Sequence, residues 1–217
     1  VITKSETLPP ELEEKLSVHG EIVNSIPEIG VVVLRSGTPG LEKKLSKLSE
    51  ITAVVPDLMT KWIGPEKFVQ EANPPGIGDD EDFFFYQWGM DAIDAPEAWN
   101  SGFTGKKAKV FILDSGIDPT HPDLKPNLNT TLSKSFVPDE EFYVQDVTRF
   151  NHGTHVAGII AAADNSYGII GVAPDAEIVA VKVLSEEGGT GSFSWINDGI
   201  VYAANNGADV INMSLGA

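Results

Sequence analysis

Lys109-Val110-Phe111-Ile112-Leu113-Asp114-Ser115-Gly116 is the stretch on which the fold of this chain turns. Its four successive apolar residues lack the alternation of a half-solvated strand and mark a central strand of a parallel sheet, covered on both faces. Asp114 then falls at the carboxyl end of that strand, where open α/β sheets collect their ligands, and Gly116 lets the backbone turn away. Outward from there, residues 152–162 read as a helix that places Val156, Ile159 and the following Ala163 along one face. Residues 178–183 read as a second buried strand, 194–205 as a helix stopped by Gly207, and 210–213 as a third strand. Strands alternating with helices predict an α/β domain on a mostly parallel sheet.

The first 63 residues follow a different plan. Residues 9–17 and 41–48 are amphipathic and helical, while 21–26, 30–34 and 53–55 are strand-like, with a partial strand at Val1. The order β-α-β-β-α-β predicts a small α+β domain of ferredoxin-like topology, the split βαβ sandwich. Nothing in it offers a catalytic group. Residues 64–85 then turn to Pro, Gly and acids, in Gly64-Pro65, Asn73-Pro74-Pro75-Gly76 and Gly78-Asp79-Asp80-Glu81-Asp82, the composition of an exposed, cleavable linker. Gln87-Trp88-Gly89 and Ala95-Pro96-Glu97-Ala98-Trp99 open the next domain. The expected division is therefore 1–63, 64–85 and 86–217.

Composition narrows the function. Acidic side chains number 32 against 15 basic ones, a net charge of −17, of which residues 1–85 hold −7 and the remainder −10. A surface so evenly acidic repels phosphate backbones, which argues against nucleic acid and anionic membrane as partners and in favour of divalent cations. The absence of cysteine excludes disulfides, thiol catalysis and zinc-thiolate sites but assigns no compartment. No apolar stretch reaches the ~20 residues that cross a bilayer, so no membrane span is expected. Val1-Ile2-Thr3-Lys4 has no signal-peptide pattern. It reads as a strand caught partway, and the buried-strand pattern from Asp209 runs straight into Ala217, so the expectation is a fragment of a longer protein.

The chemistry centres on Asp114 and on Asn151-His152-Gly153-Thr154-His155-Val156-Ala157-Gly158. A histidine opening a helix beside a buried carboxylate is what general-base catalysis requires, because the carboxylate fixes the tautomer and steadies the imidazolium. Metal is the competing reading: His152 and His155 stand at i, i+3 and, with Asp114, would make a three-ligand zinc site. Plain structural roles remain open for all three.

Taken together, Ile112-Leu113-Asp114-Ser115-Gly116-Ile117-Asp118, His121-Pro122-Asp123-Leu124 and His152-Gly153-Thr154-His155-Val156-Ala157-Gly158 resemble the Asp and His motifs of the subtilisin family of serine proteases, in the family's order. A third stretch, from Val181-Lys182-Val183-Leu184 through Gly189-Thr190-Gly191-Ser192-Phe193 to Ser214-Leu215-Gly216, resembles its substrate cleft. The similarity runs from about Gln87 to the end. It implies an endopeptidase acting on protein and peptide substrates, in which Asp114 orients His152 and His152 relays the proton of a serine. His155 would be structural. Gly189, Thr190 and Gly191 would offer an edge strand to an extended substrate and Ser214, Leu215 and Gly216 the facing strand, a recognition of main chain. Phe193 would line a pocket for a side chain upstream of the cut.

The family's nucleophile motif, Gly-Thr-Ser followed by small residues, occurs nowhere in the chain, nor does its oxyanion-hole Asn. These 217 residues alone are therefore expected to be inert, with the rest of the protease domain as their partner. The alternative is a protease-fold interaction module without activity. The resemblance further implies calcium: Asn165, the carbonyls of Ala163, Tyr167 and Ile169, the carboxylate of Asp123 and, from the linker, Asp80 would supply the oxygens that ion takes. Residues 1–63 resemble, more loosely, the family's propeptide, an intramolecular chaperone and inhibitor bound to its own catalytic domain. The implied whole is a secreted or cell-surface zymogen, cleaved between 64 and 86.

Overall fold

Six elements build the first unit of the chain, Val1–Met59: β1 (Ile2–Thr3), α1 (Pro10–Ser17), β2 (Glu21–Ile26), β3 (Val31–Arg35), α2 (Leu41–Leu45) and β4 (Ile51–Ala53). The computed structural model describes residues 1–5, 7–61, 80–144 and 151–216; the expected linker and processing segment lies outside them as far as residue 79. Pro10 opens α1, where its fixed φ suits a helix and its missing N–H costs no bond. Leu12 and Leu16, four residues apart, bury against Val32, Leu45 and Ile51. The sheet order is β2-β3-β1-β4 with every pair antiparallel, the split βαβ arrangement predicted from element order.

Several boundaries differ from the expectation by one to three residues, and three of them have a local cause. Gly30 does not begin β3: it caps the short turn Pro27–Ile29 in the left-handed region, φ 63°, a conformation that glycine tolerates. α2 stops at Leu45, because Ser46 turns its hydroxyl back onto the carbonyl of Glu42, a local bond that competes with helix propagation. β4 occupies 51–53 rather than 53–55, since it starts where the turn after α2 ends and Pro56 has no N–H for a ladder.

The second unit begins at Thr60, within β5 (Met59–Lys61). It continues through α3 (Trp88–Ala92), α4 (Ala95–Asn100), β6 (Lys109–Asp114), β7 (Lys134–Ser135), α5 (His152–Ala161), β8 (Glu177–Lys182), β9 (Thr190–Ser192), α6 (Phe193–Asn205) and β10 (Val210–Asn212). The sheet β10-β6-β8-β7 is parallel throughout, and β5 with β9 forms a separate two-stranded sheet. The unbroken apolar run of β6 is explained by its two neighbours. Phe111 and Leu113 pack with Val179, Val181 and the Ile196 and Ala203 of α6. Val110 and Ile112 pack with Ile178, Ala180 and the Val156, Ala157 and Ala161 of α5. β7, two residues long, is too short to leave a pattern in the sequence.

Candidate active site

Asp114 ends β6 and is buried; His152 is the first residue of α5, its side chain 14% exposed. His152 Nδ1 lies 2.9 Å from both carboxylate oxygens of Asp114. An ionised carboxylate only accepts, so Nδ1 carries the proton and Nε2 is left as the acceptor. The backbone N–H of Ser115 also donates to Asp114 Oδ1, at 2.7 Å.

The local sequence makes this approach feasible. A Cβ built on Gly153 would collide with the carbonyl oxygen of Gly116 and stand 3.1 Å from Asp114 Cβ, so only glycine lets the start of α5 sit this close to the end of β6. Gly116 has φ 101°, and the carbonyl oxygen of Phe142 lies 2.6 Å from where its Cβ would be. The Ser115 hydroxyl accepts from the Gly153 N–H at 3.0 Å, satisfying one of the donors a helix start leaves open. Helix polarity adds to the effect, because the positive end of α5 faces the Asp114 carboxylate.

His155 is exposed. Among the described residues, the acidic or histidine groups gathered closely enough for one ion are Asp80, Glu81 and Asp164, so the zinc arrangement of His152, His155 and Asp114 does not assemble. In the loop after α5, Asn165, Ile169 and Ala163 each bond to Asp123, so four of the residues expected around calcium are neighbours. Asp123 is buried; its Oδ1 lies 3.4 Å from Asn165 Nδ2 and its Oδ2 accepts from the Ile169 N–H at 3.3 Å. Gly168, φ 68°, has no room for a Cβ against Asp123 Oδ2. The carbonyl of the Gly168 next to Tyr167 accepts from Phe83, and the Ala163 N–H donates to the Asp123 carbonyl. Asp80 Oδ2 accepts from the Ser166 hydroxyl at 2.8 Å. Glu81, absent from the expected set, is buried and accepts from the N–H groups of Asn165 and Ser166. Burial first, then the charges of Glu81 and Asp80, push the Asp164 carboxyl above its usual range.

In the expected cleft, Gly189 (φ 66°) leads into β9, which contains Thr190 and Gly191, and Phe193, 46% exposed, opens α6. Ser214, Leu215 and Gly216 follow β10 but form no strand. Among the described residues β10 pairs with β6 alone, and β6 ends at Asp114, where Gly116 turns the chain away. Leu215 still packs on the α6 side of the core.

The model of the Subtilase family matches residues 105–217, just over half of the chain. The chain belongs to the subtilase family. Subtilisin E of Bacillus subtilis is 51% identical over 129 residues, 59% of this chain and 32% of that protein. Subtilisin Savinase of Lederbergia lenta is 52% identical over 130 residues, 60% of this chain and 45% of the relative. The Major intracellular serine protease of Bacillus subtilis is 47% identical over 129 residues, 59% of this chain and 40% of that one. This subtilase chain thus spans about a third to under half of the length of these relatives. Among solved structures, fervidolysin from Fervidobacterium pennivorans, described as a keratinolytic enzyme related to subtilisin, superposes with a TM-score of 0.75 at 27% identity, covering 94% of this chain and 34% of its own.

The subtilase site also contains residues the sequence reading passed over. Ser115 makes a capping bond to Gly153 that depends on a tertiary approach no spacing reveals. Glu81 and Asp164 sit in an acidic stretch and an Asx-type loop whose side chains the sequence cannot orient. Their one legible signal was the density of acids at 79–82.

Proposed function

We propose that this chain is part of a subtilisin-like serine endopeptidase zymogen, contributing the Asp and His of an Asp-His-Ser triad whose serine lies outside residues 1–217. The observation that carries the reading is the 2.9 Å contact of His152 Nδ1 with both oxygens of buried Asp114, at the carboxyl end of a parallel sheet. With the serine present, His152 Nε2 takes the hydroxyl proton and returns it to the leaving amine, while Asp114 holds the tautomer and stabilises the imidazolium without itself being protonated. Gly189, Thr190 and Gly191, facing Ser214, Leu215 and Gly216, hold the substrate backbone, and Phe193 meets an upstream side chain.

The test uses the full-length protein. A fluorophosphonate probe should label one serine beyond Ala217, and His152→Ala should remove peptidase activity. In subtilisin, from which these magnitudes are carried over rather than derived, loss of the His costs about 10⁶ in kcat and loss of the Asp about 10⁴. A folded full-length protein that neither labels nor cleaves would make the chain a protease-fold interaction module instead.

Calcium belongs to the same proposal. Asp123, Asn165, Asp80 and the carbonyls of Ala163, Tyr167 and Ile169 would hold it, an all-oxygen set of the kind this ion prefers. The fit is supported by like charges crowded at Asp80, Glu81 and Asp164, a repulsion that a cation relieves. Its part is structural, joining the loop after α5 to the segment ahead of α3. Chelation should lower the melting temperature of the holoprotein and added calcium should restore it, because a ligand bound only by the native state stabilises it by mass action. An unchanged melting temperature would remove calcium from the reading.

Residues 1–63 serve in this proposal as a propeptide that binds its own catalytic domain until cleavage in 64–85. The 94% coverage of this chain by the fervidolysin match supports it. Secretion or display at the cell surface completes the proposal, with the intracellular Bacillus relative as the contrary precedent that fractionation of expressing cells would decide.

A further inference from the structure

Lys182 is a fully buried cation that the proton relay does not use. It ends β8, in register with Asp114 of β6 and Ser135 of β7. Register partners in a parallel sheet point to the same face, so Lys182 leaves the sheet on the side it shares with Asp114. Its Nζ lies 3.0 Å from Glu140 Oε2 and 3.3 Å from Glu186 Oε1. Glu140 spends both oxygens on a single turn: Oε1 accepts the Ser185 hydroxyl and Oε2 accepts the Glu186 N–H at 3.1 Å. Ser185 then fixes the approach to β9, its N–H donating to the Thr190 carbonyl at 2.7 Å and its carbonyl accepting from the Gly189 N–H at 3.2 Å. Between these bonds stand Gly188 and Gly189, both left-handed at φ 74° and 66°, a pair with no side chains to hold the turn.

We infer that Lys182, acting through Glu140, is the positioning residue for the substrate-binding strand: the buried ion pair fixes the Ser185–Thr190 turn and sets β9 in place relative to the strand that carries Asp114. An apolar side chain would fill the space at 182 equally well, so what the pair adds is geometry. The inference rests on the protease reading for the role of β9, but not for the order of the turn.

The experiment uses the full-length protein and two variants. Ser185→Ala removes one hydroxyl and leaves the ion pair. Lys182→Met combined with Glu140→Gln removes the charges of the closer pair at nearly constant volume and leaves Glu186 as the one carboxylate of the cluster without its cation. Hydrogen exchange over residues 185–192 should quicken about tenfold in the double variant and about threefold in Ser185→Ala, with β6 and β8 unchanged. KM for a peptide extending four residues upstream of the cut should rise about tenfold in the double variant, and turnover of a single-residue ester should change far less. Unaltered exchange at 185–192, or equal losses on both substrates, overturns the inference. Faster exchange at 185–192 in a protein that cleaves no peptide retains the positioning of the turn and defeats the protease reading.

Discussion

Gly153 shows how much one residue carries. Its missing side chain is what admits the Gly116 carbonyl and the Asp114 carboxylate to the first turn of α5, so Gly153→Ala must push that turn away from β6. The expected result in the full-length protein is a fall in kcat with little change in KM, together with about 1–3 kcal/mol of lost stability from overpacking. Steady-state kinetics and thermal melts check it, and wild-type kcat in the variant would show that the approach has slack. At this scale the sequence was legible where chemistry needs rare residue types in order: Asp114 at a strand end and His152 at a helix start are where the motifs put them. It was not legible for Ser115, Glu81, Asp164, Glu140 or Lys182. Serine, aspartate, glutamate and lysine have ordinary surface roles almost everywhere, and only the fold brings these five to their partners.

Among the elements, the turn between β8 and β9 has a pH dependence that can be worked out. Burial raises the Glu140 carboxyl, but bonds from the Ser185 hydroxyl, the Glu186 N–H and Lys182 outweigh it and hold the group below its ordinary 4.5. A carboxyl depressed by folding contributes stability that is fully present above its unfolded value and is lost as pH falls through the folded one. Melting temperatures of wild type and Glu140→Gln should therefore differ most above pH 4.5 and converge below it. Curves that stay parallel through that range would show that Glu140 carries no such linkage. Element type was readable from apolar runs and helical periods in β6, α5, β8 and α6, because each is covered on a face whose period matches its own. Ends were less so: α2 is cut short by a serine hydroxyl and Gly30 serves as a cap, local bonds that periodicity does not register.

At the scale of the whole molecule, one chain carries two folds of different kind. Val1–Met59 has its own core of Leu12, Leu16, Val32, Leu45 and Ile51, and the candidate catalytic groups lie elsewhere. The second unit holds the Asp-His pair, and β9, proposed to receive the substrate, pairs with β5. A strand in that position competes with any extended peptide for the same main-chain bonds. If the first domain is a propeptide, residues 1–63 produced separately should inhibit the mature protease in trans, competitively with an extended peptide substrate. Removing Thr60 and Lys61 should weaken the inhibition about tenfold or more, since strand pairing is lost while the domain core is untouched. Inhibition assays with the two pieces measure both effects. A piece that folds, by circular dichroism, yet leaves the protease fully active would show that β5 pairs with β9 only because the chain is continuous, and the first domain would then need a role other than inhibition.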